Sequence, residues 1–164
     1  MKNPILVLIK PDGLQKKIAG HILTRFLEED IALLAAKTIR VGRPLAEAHY
    51  RHLQGQEFYE QVVEYLTGKY HGRHPVVALV FYGDDIIKTC RRIAGATNPE
   101  EADPGSIRGS FGRITTKGVY ENVVHVSSDR KEAEREIQLW FTPEEILVKI
   151  FPTQTQTQQR RAWA

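Results

Sequence analysis

One histidine stands where a nucleophile would be useful. His125 interrupts the β-branched run Val123-Val124-His125-Val126, four residues before an aspartate that opens a helical pattern at Asp129. The start of a helix, with its unpaired N–H groups and positive dipole end, favours phosphate. Glu136 falls two turns into that helix, beside its apolar stripe. A carboxylate there would fix the imidazole tautomer by accepting the proton of the ring nitrogen that does not react; the same spacing also lets Glu136 face solvent, and a lone strand histidine is commonly structural. Lys10, Lys88, Arg91, Arg108 and Arg113 supply the cations that a polyphosphate needs, and guanidinium forks are the usual ligands of phosphate oxygens. The Gly-x-x-x-x-Gly-Lys-Ser/Thr phosphate loop and the Gly-rich and His-Arg-Asp motifs of protein kinases are missing, so a phosphoryl transferase built on these residues belongs to neither class.

The elements that must position them alternate along the chain. Ile5 to Ile9 is an apolar run of strand length, ended by a turn at Pro11-Asp12-Gly13, and it reads as a strand buried on both faces. Ile18, Ile22, Leu23, Phe26 and Leu27 recur at helical spacing. A second strand spans Ile31 to Val41, and two short helices follow, Leu45 to Leu53 and Glu57 to Leu66. Val76 to Tyr82 is the clearest strand, with Asp84 or Asp85 placed to cap a helix through Ile86, Ile87, Cys90 and Ile93. Ala94 to Gly118 is irregular and rich in Gly, Pro and Asn, with Arg108 in a flexible segment. Asn122 to Val126 is a fourth strand, and Asp129 with Glu132 forms a capping box for a helix striped by Ala133, Ile137, Trp140 and Phe141. The order β-α-β-β-α-β plus a final helix predicts an α+β fold of the split β-α-β, ferredoxin-like kind, a four-stranded mainly antiparallel sheet with helices packed on one face.

Composition sets the outer bounds. The 164 residues are 41% hydrophobic and 26% charged, the size of one domain, and no apolar run reaches the length of a membrane helix. With no secretory apolar segment behind Met1, a cytoplasmic location is expected. Cys90 is the only cysteine, which excludes an internal disulfide and reads as a buried hydrophobe. A net charge of +3 suits a small anion held by a few arginines, since the basic residues are interleaved with twenty acids. An RNA-binding reading of the split fold lacks the aromatic strand motif, and Phe81-Tyr82 serve as core and strand end.

Seven segments occur in order: Ile9-Lys10-Pro11-Asp12-Gly13, His49-Tyr50, Lys88-Thr89-Cys90-Arg91, Thr97-Asn98-Pro99, Pro104 to Gly109, Asn122 to Ser127 and Glu134-Arg135-Glu136-Ile137. Together they resemble the nucleoside diphosphate kinase family over residues 4 to 148. The resemblance implies ping-pong transfer of a terminal phosphate between nucleoside tri- and diphosphates, with broad base tolerance. His125 would be the phosphorylated nucleophile, oriented by Glu136 and Ser127, with Tyr50 beside it. Arg91, Thr97 and Arg108 would hold the phosphates, and Lys10 and Asn122 the ribose 3′-hydroxyl and the adjoining phosphate end. Phe58 would stack on the base, with Val62 lining the slot. Mg²⁺ would be held by nucleotide phosphates and water, with no side-chain metal ligands, and the assembly would be a homo-oligomer built from dimers, a tetramer or hexamer, with no nucleic-acid or membrane partner.

The chain departs from the family pattern in places. Val126 follows the histidine, and Ser127-Ser128-Asp129 displaces the helix cap by one; Gln56-Glu57 replaces a common Arg-Pro before Phe58. The chain is also longer at Gly68 to His74 and at Gly112 to Glu121. These departures motivate a second class of function, a nucleotide-binding relative without transfer activity, which the retained polar set argues against. The domain is expected to span residues 1–151. The polar tail 152–164 would be an oligomer contact, with Trp163 as an apolar anchor and Arg160 and Arg161 pairing with acids.

Overall fold

The computed structural model describes residues 2–154, and the proposed contact through Arg160, Arg161 and Trp163 lies outside them. Four strands, β1 (Asn3–Ile9), β2 (Ala32–Ile39), β3 (Val76–Gly83) and β6 (Val124–Val126), form the main sheet in the order β2-β3-β1-β6, each neighbouring pair antiparallel. This is the split β-α-β arrangement. A separate two-stranded hairpin joins β4 (Arg113–Ile114) to β5 (Tyr120–Glu121). The helices are α1 (Pro11–Gln15), α2 (Ala19–Leu27), α3 (Arg43–His49), α4 (Tyr59–Leu66), α5 (Ile86–Ala94), α6 (Ile107–Phe111) and α7 (Arg130–Trp140).

Strand side chains alternate, so a run with no polar interruption must be covered on both sides. Ile5, Val7 and Ile9 pack against Ile22 and Phe26 of α2 and against Ile86, Cys90 and Ile93 of α5. Leu6 and Leu8 face the other way, onto Ala46 of α3, Val63 and Leu66 of α4, and Ile137 and Trp140 of α7. The expectation of helices on one face therefore holds only for α2 and α5. With each sealed aliphatic side chain contributing roughly 1.5–3 kcal/mol, β1 is the rigid member to which the site is referred.

Four local expectations are revised. Asp85 precedes α5 but does not cap it through its side chain, because its φ of 47° turns the backbone into the left-handed region. The Pro11-Asp12-Gly13 turn is the opening of the short helix α1. The stretch 94–118 is ordered by a 3₁₀ turn at Pro99–Glu101 and by α6, whose cap Ser106 accepts the Gly109 N–H at 3.2 Å. Arg108 thus sits on a capped helical turn, buried, and not in a flexible loop. At α7 the Asp129 carboxylate accepts the Glu132 N–H at 2.9 Å, but the reciprocal half of the capping box is absent because the Glu132 carboxylate binds Arg135. Cys90 is fully buried as expected, its thiol pushed up to about 12 by that burial.

Candidate active site

The segment before β6 is shaped by its partner across the fold. Val123 has a φ of 54°, which a β-branched residue avoids, and the Val124 N–H reaches back to the Asn122 carbonyl at 2.6 Å in a tight turn. The Lys10-Pro11-Asp12-Gly13 segment holds this conformation. The Lys10 N–H donates to the Val123 carbonyl at 2.9 Å, and the Asp12 carboxylate accepts the Val123 N–H at 3.0 Å. Gly13 lets the two segments approach closely, since a Cβ there would lie 3.0 Å from the Ile9 side chain and 3.2 Å from the Val123 carbonyl oxygen and would press both back by a few tenths of an ångström. The motif is a clamp, and it delivers the Lys10 ammonium to the Asn122 side-chain oxygen.

His125 pairs directly with Leu8. Paired residues share a face of the sheet, so the imidazole projects toward α3, α4 and α7. There its Nε2 lies 3.0 Å from both Glu136 oxygens. Glu136 is 1% exposed, which settles its orientation inward and not toward solvent. Ser127, sealed at 0% exposure, donates its hydroxyl to Glu136 at 2.6 Å. Burial alone would raise the Glu136 carboxyl, but the His125 charge and hydrogen bond, the Ser127 hydroxyl and Arg135 outweigh it and hold the group below the ordinary range. Ser127 acts from behind the carboxylate.

One cavity of about 810 Å³ gathers the remaining expected residues. His125 and Glu136 line it with Lys10, Tyr50 and Asn122, as do Arg91, Thr97 and Arg108, and Phe58 with Val62 one turn further along α4. Lys88 and Arg113 do not join them; Lys88 is exposed on α5, and Arg113 pairs with Glu121 at 2.6 Å. Among the described residues, Lys10, Arg91 and Arg108 form no ion pair with a carboxylate. Arg108 is instead held by carbonyls, donating to Gly95 at 2.8 Å and to Val124 at 3.1 Å. Gly95 has a φ of 84°, and a Cβ on it would lie 2.2 Å from the Ser106 hydroxyl, so only glycine brings that carbonyl into place. Asn122 donates to the Thr97 carbonyl at 2.8 Å. Burial, reinforced by nearby Arg108 and Lys16 against Asp12, lowers Lys10 to about 8, and burial beside Arg91 lowers Arg108 to about 10. Such a cluster of desolvated cations awaits an anion.

Sequence reasoning gave no role to His49, which it met only in the His49-Tyr50 segment, and none to Tyr65. His49 is sealed, its ring centroid 4.4 Å from that of His125, and its Nδ1 accepts the Trp140 indole N–H at 3.2 Å. Burial, then the neighbouring His125, hold it well below the usual histidine value, so it stays neutral. His49, His125 and Glu136 offer ligand atoms within 4.8 Å of one another; the His49 Nδ1 is taken by Trp140 and the His125 Nε2 and the Glu136 oxygens by one another and by Ser127, while the buried His49 Nε2 has no hydrogen-bond partner among the described residues. Tyr65 places its ring 4.3 Å beneath the Lys10 ammonium. Its place on the apolar face of α4 reads as core, so no signal in the sequence pointed to Lys10.

A family model described as "Nucleoside diphosphate kinase" matches residues 3–146. A nucleoside diphosphate kinase of Listeria innocua is 43% identical over 86% of this chain and 90% of its own length. Among solved structures, a transition-state mimic of the Borrelia burgdorferi nucleoside-diphosphate kinase with bound vanadate and ADP superposes with a TM-score of 0.80 at 30% identity, covering 90% of this chain and 92% of that one. A Halobacterium salinarum nucleoside diphosphate kinase in complex with CDP superposes with a TM-score of 0.81 at 31% identity, covering 91% and 93%.

Proposed function

The chain belongs to the nucleoside diphosphate kinase family, phosphotransferases that move the terminal phosphate of a nucleoside triphosphate to a diphosphate, and on that premise we propose that the transfer passes through His125. The observation that carries this assignment is the bond from the His125 Nε2 to buried Glu136, on the wall of a cavity holding three cations that form no ion pair with a carboxylate among the described residues. Nδ1 is the nucleophile. Its lone pair attacks the terminal phosphorus, the bond to the bridging oxygen breaks, and the nucleoside diphosphate leaves with that oxygen. A second diphosphate enters the same pocket, and its terminal oxygen attacks the phosphohistidine, restoring the imidazole. Glu136 offsets the ring charge in between, and Lys10, Arg91 and Arg108 neutralise the moving group, with Thr97 and Asn122 completing the grip.

Phe58, half-exposed and one turn from Val62, offers a ring face to the base, and the ADP and CDP carried by the two relatives suit such stacking, which tolerates every base. Of the carboxylates lining the cavity, Glu136 is bound to His125 and Ser127, and Glu132 to Arg135. A Mg²⁺ ion would therefore be held by nucleotide phosphates and water, where it would neutralise charge on the transferred group. No described helix is long and apolar enough to cross a membrane. A cytoplasmic location suits nucleotide substrates. Residues 1–151 would form the catalytic unit, with 152–164 as an oligomer contact. A homo-oligomer suits half-exposed Leu27 and Val148 and exposed Leu147, whose N–H extends the free edge of β2 at Leu34; light scattering on the chain with and without residues 152–164 measures this.

Incubation with γ-labelled ATP tests the chemistry. An acid-labile, base-stable label that GDP or CDP discharges, and that His125→Ala abolishes, is expected; substantial phosphoryl transfer by His125→Ala overturns it.

A further inference from the structure

The loop of residues 68–74 and the hairpin segment 112–121 meet each other. In the hairpin, Arg113 pairs with Glu121 and Ile114 with Tyr120, so Glu121 and Arg113 share one face and Tyr120 takes the opposite one. The inner face is a charge hub. The Glu121 carboxylate binds Arg113 at 2.6 Å, Lys16 at 3.1 Å and, from the 68–74 loop, His71 at 3.1 Å. His71 is buried, and its ring meets that of Tyr65 edge-on at 4.7 Å. The hub ties the hairpin to the end of α1 and to the loop after α4, and three polar side chains converge on the Glu121 carboxylate at 2.6–3.1 Å. Such a network fixes a strand more firmly than two ladder residues would.

The outer face is turned to the cavity. Tyr120 lines it together with Phe58, and both rings are unusually open for aromatic side chains, at 42% and 47% exposure. Two half-open aromatic rings on one cavity leave apolar surface that a flat π-system would cover. We infer that Tyr120 is a second aromatic contact for the nucleobase, a specificity-determining residue supplied by the hairpin, and that Glu121 is the positioning residue that holds it there. The assignment rests on the nucleotide pocket proposed above. Its chemistry is stacking, so it needs the ring and not the hydroxyl, and it favours the larger face of a purine.

The test compares Tyr120→Ala, Tyr120→Phe and Phe58→Ala, with KM and kcat measured for ADP, GDP, CDP and UDP in the full-length protein. Tyr120→Ala is expected to raise KM about five- to tenfold for the purines and less for the pyrimidines, with kcat within about twofold, and Tyr120→Phe to restore KM. An unchanged KM in Tyr120→Ala, where Phe58→Ala does raise it, overturns the Tyr120 assignment and leaves the pocket standing. An unchanged KM in Phe58→Ala removes the base from this slot and overturns the pocket itself. Glu121→Gln, which keeps the side-chain shape, distinguishes positioning from general stabilisation. Its KM penalty should vanish in the Tyr120→Ala background, whereas an additive penalty in the double variant overturns the positioning role.

Discussion

The His125 imidazole and the Glu136 carboxylate meet through a single ring nitrogen, Nε2, at 3.0 Å from each carboxylate oxygen. An ionised carboxylate only accepts, so the nitrogen facing it carries the hydrogen and Nδ1 keeps the lone pair. The phosphorylated enzyme should accordingly bear its phosphate on Nδ1. Nitrogen and phosphorus NMR of the labelled protein distinguishes the two isomers, and a phosphate on Nε2 would contradict the geometry.

Glu136→Gln replaces an acceptor with an amide that can turn its NH₂ toward the ring. Tautomer control and charge compensation go together, and kcat should fall roughly a hundredfold while the fold persists. Ser127→Ala removes the 2.6 Å bond to the same carboxylate and leaves a buried acceptor short of a donor, costing about 1–3 kcal/mol of stability with a smaller loss of kcat. Chemical denaturation and steady-state rates separate the two effects; a larger kinetic defect in Ser127→Ala than in Glu136→Gln would invert the proposed roles.

Lys10 offers a pH signature. Buried and lowered to about 8, it loses its charge in the free enzyme within an accessible range, so kcat/KM should fall above about pH 8 while kcat, measured with phosphate bound, stays level. Lys10→Gln should lower kcat/KM roughly tenfold to a hundredfold and abolish that alkaline limb. The folded value lies below the unfolded 10.5, so the buried ammonium costs stability below pH 8, and the cost is lifted as pH rises from about 8 to 10.5.

Glu121 behaves in the opposite sense. Burial would raise it, yet Arg113, His71 and Lys16 bring it down to about 2. Its stabilisation is complete above the unfolded value of 4.5 and is lost as pH falls toward 2. Between pH 6 and pH 3 the Tm of Glu121→Gln should drop by about 2–4 °C less than that of the unaltered chain. Equal drops would mean the hub contributes nothing.

Much of this was legible in advance because period and chemistry agreed. The unbroken run Ile5 to Ile9 demanded a doubly covered strand, and the order of strands and helices gave the sheet. His125, Glu136 and the cation set were visible as residue types at spacings that a phosphate site needs. What escaped was what depends on contacts distant in sequence. Arg108 looked mobile because its order comes from the carbonyls of Gly95 and Val124, neither of them near it in the chain. Tyr65 drew no reading, and His49 only a place in the His49-Tyr50 segment, because residue type and spacing do not reveal which ring lies beside Lys10 or beside His125. Glycine-rich stretches hid α6, a helix too short to show a period.

The contacts of Asp12 with Val123 and of Lys10 with Asn122 tie positions 111 and 112 residues apart. Closing a loop of that length costs about 4 kcal/mol of chain entropy, with little gained until both ends are in place. The catalytic strand β6 is also the last of the four in the chain and joins the sheet through β1 alone. Catalytic competence is thus tied to chain completion. The pairing of β1, β2 and β3 needs no residue beyond Gly83, whereas the nucleophile takes its place only when β6 docks on β1.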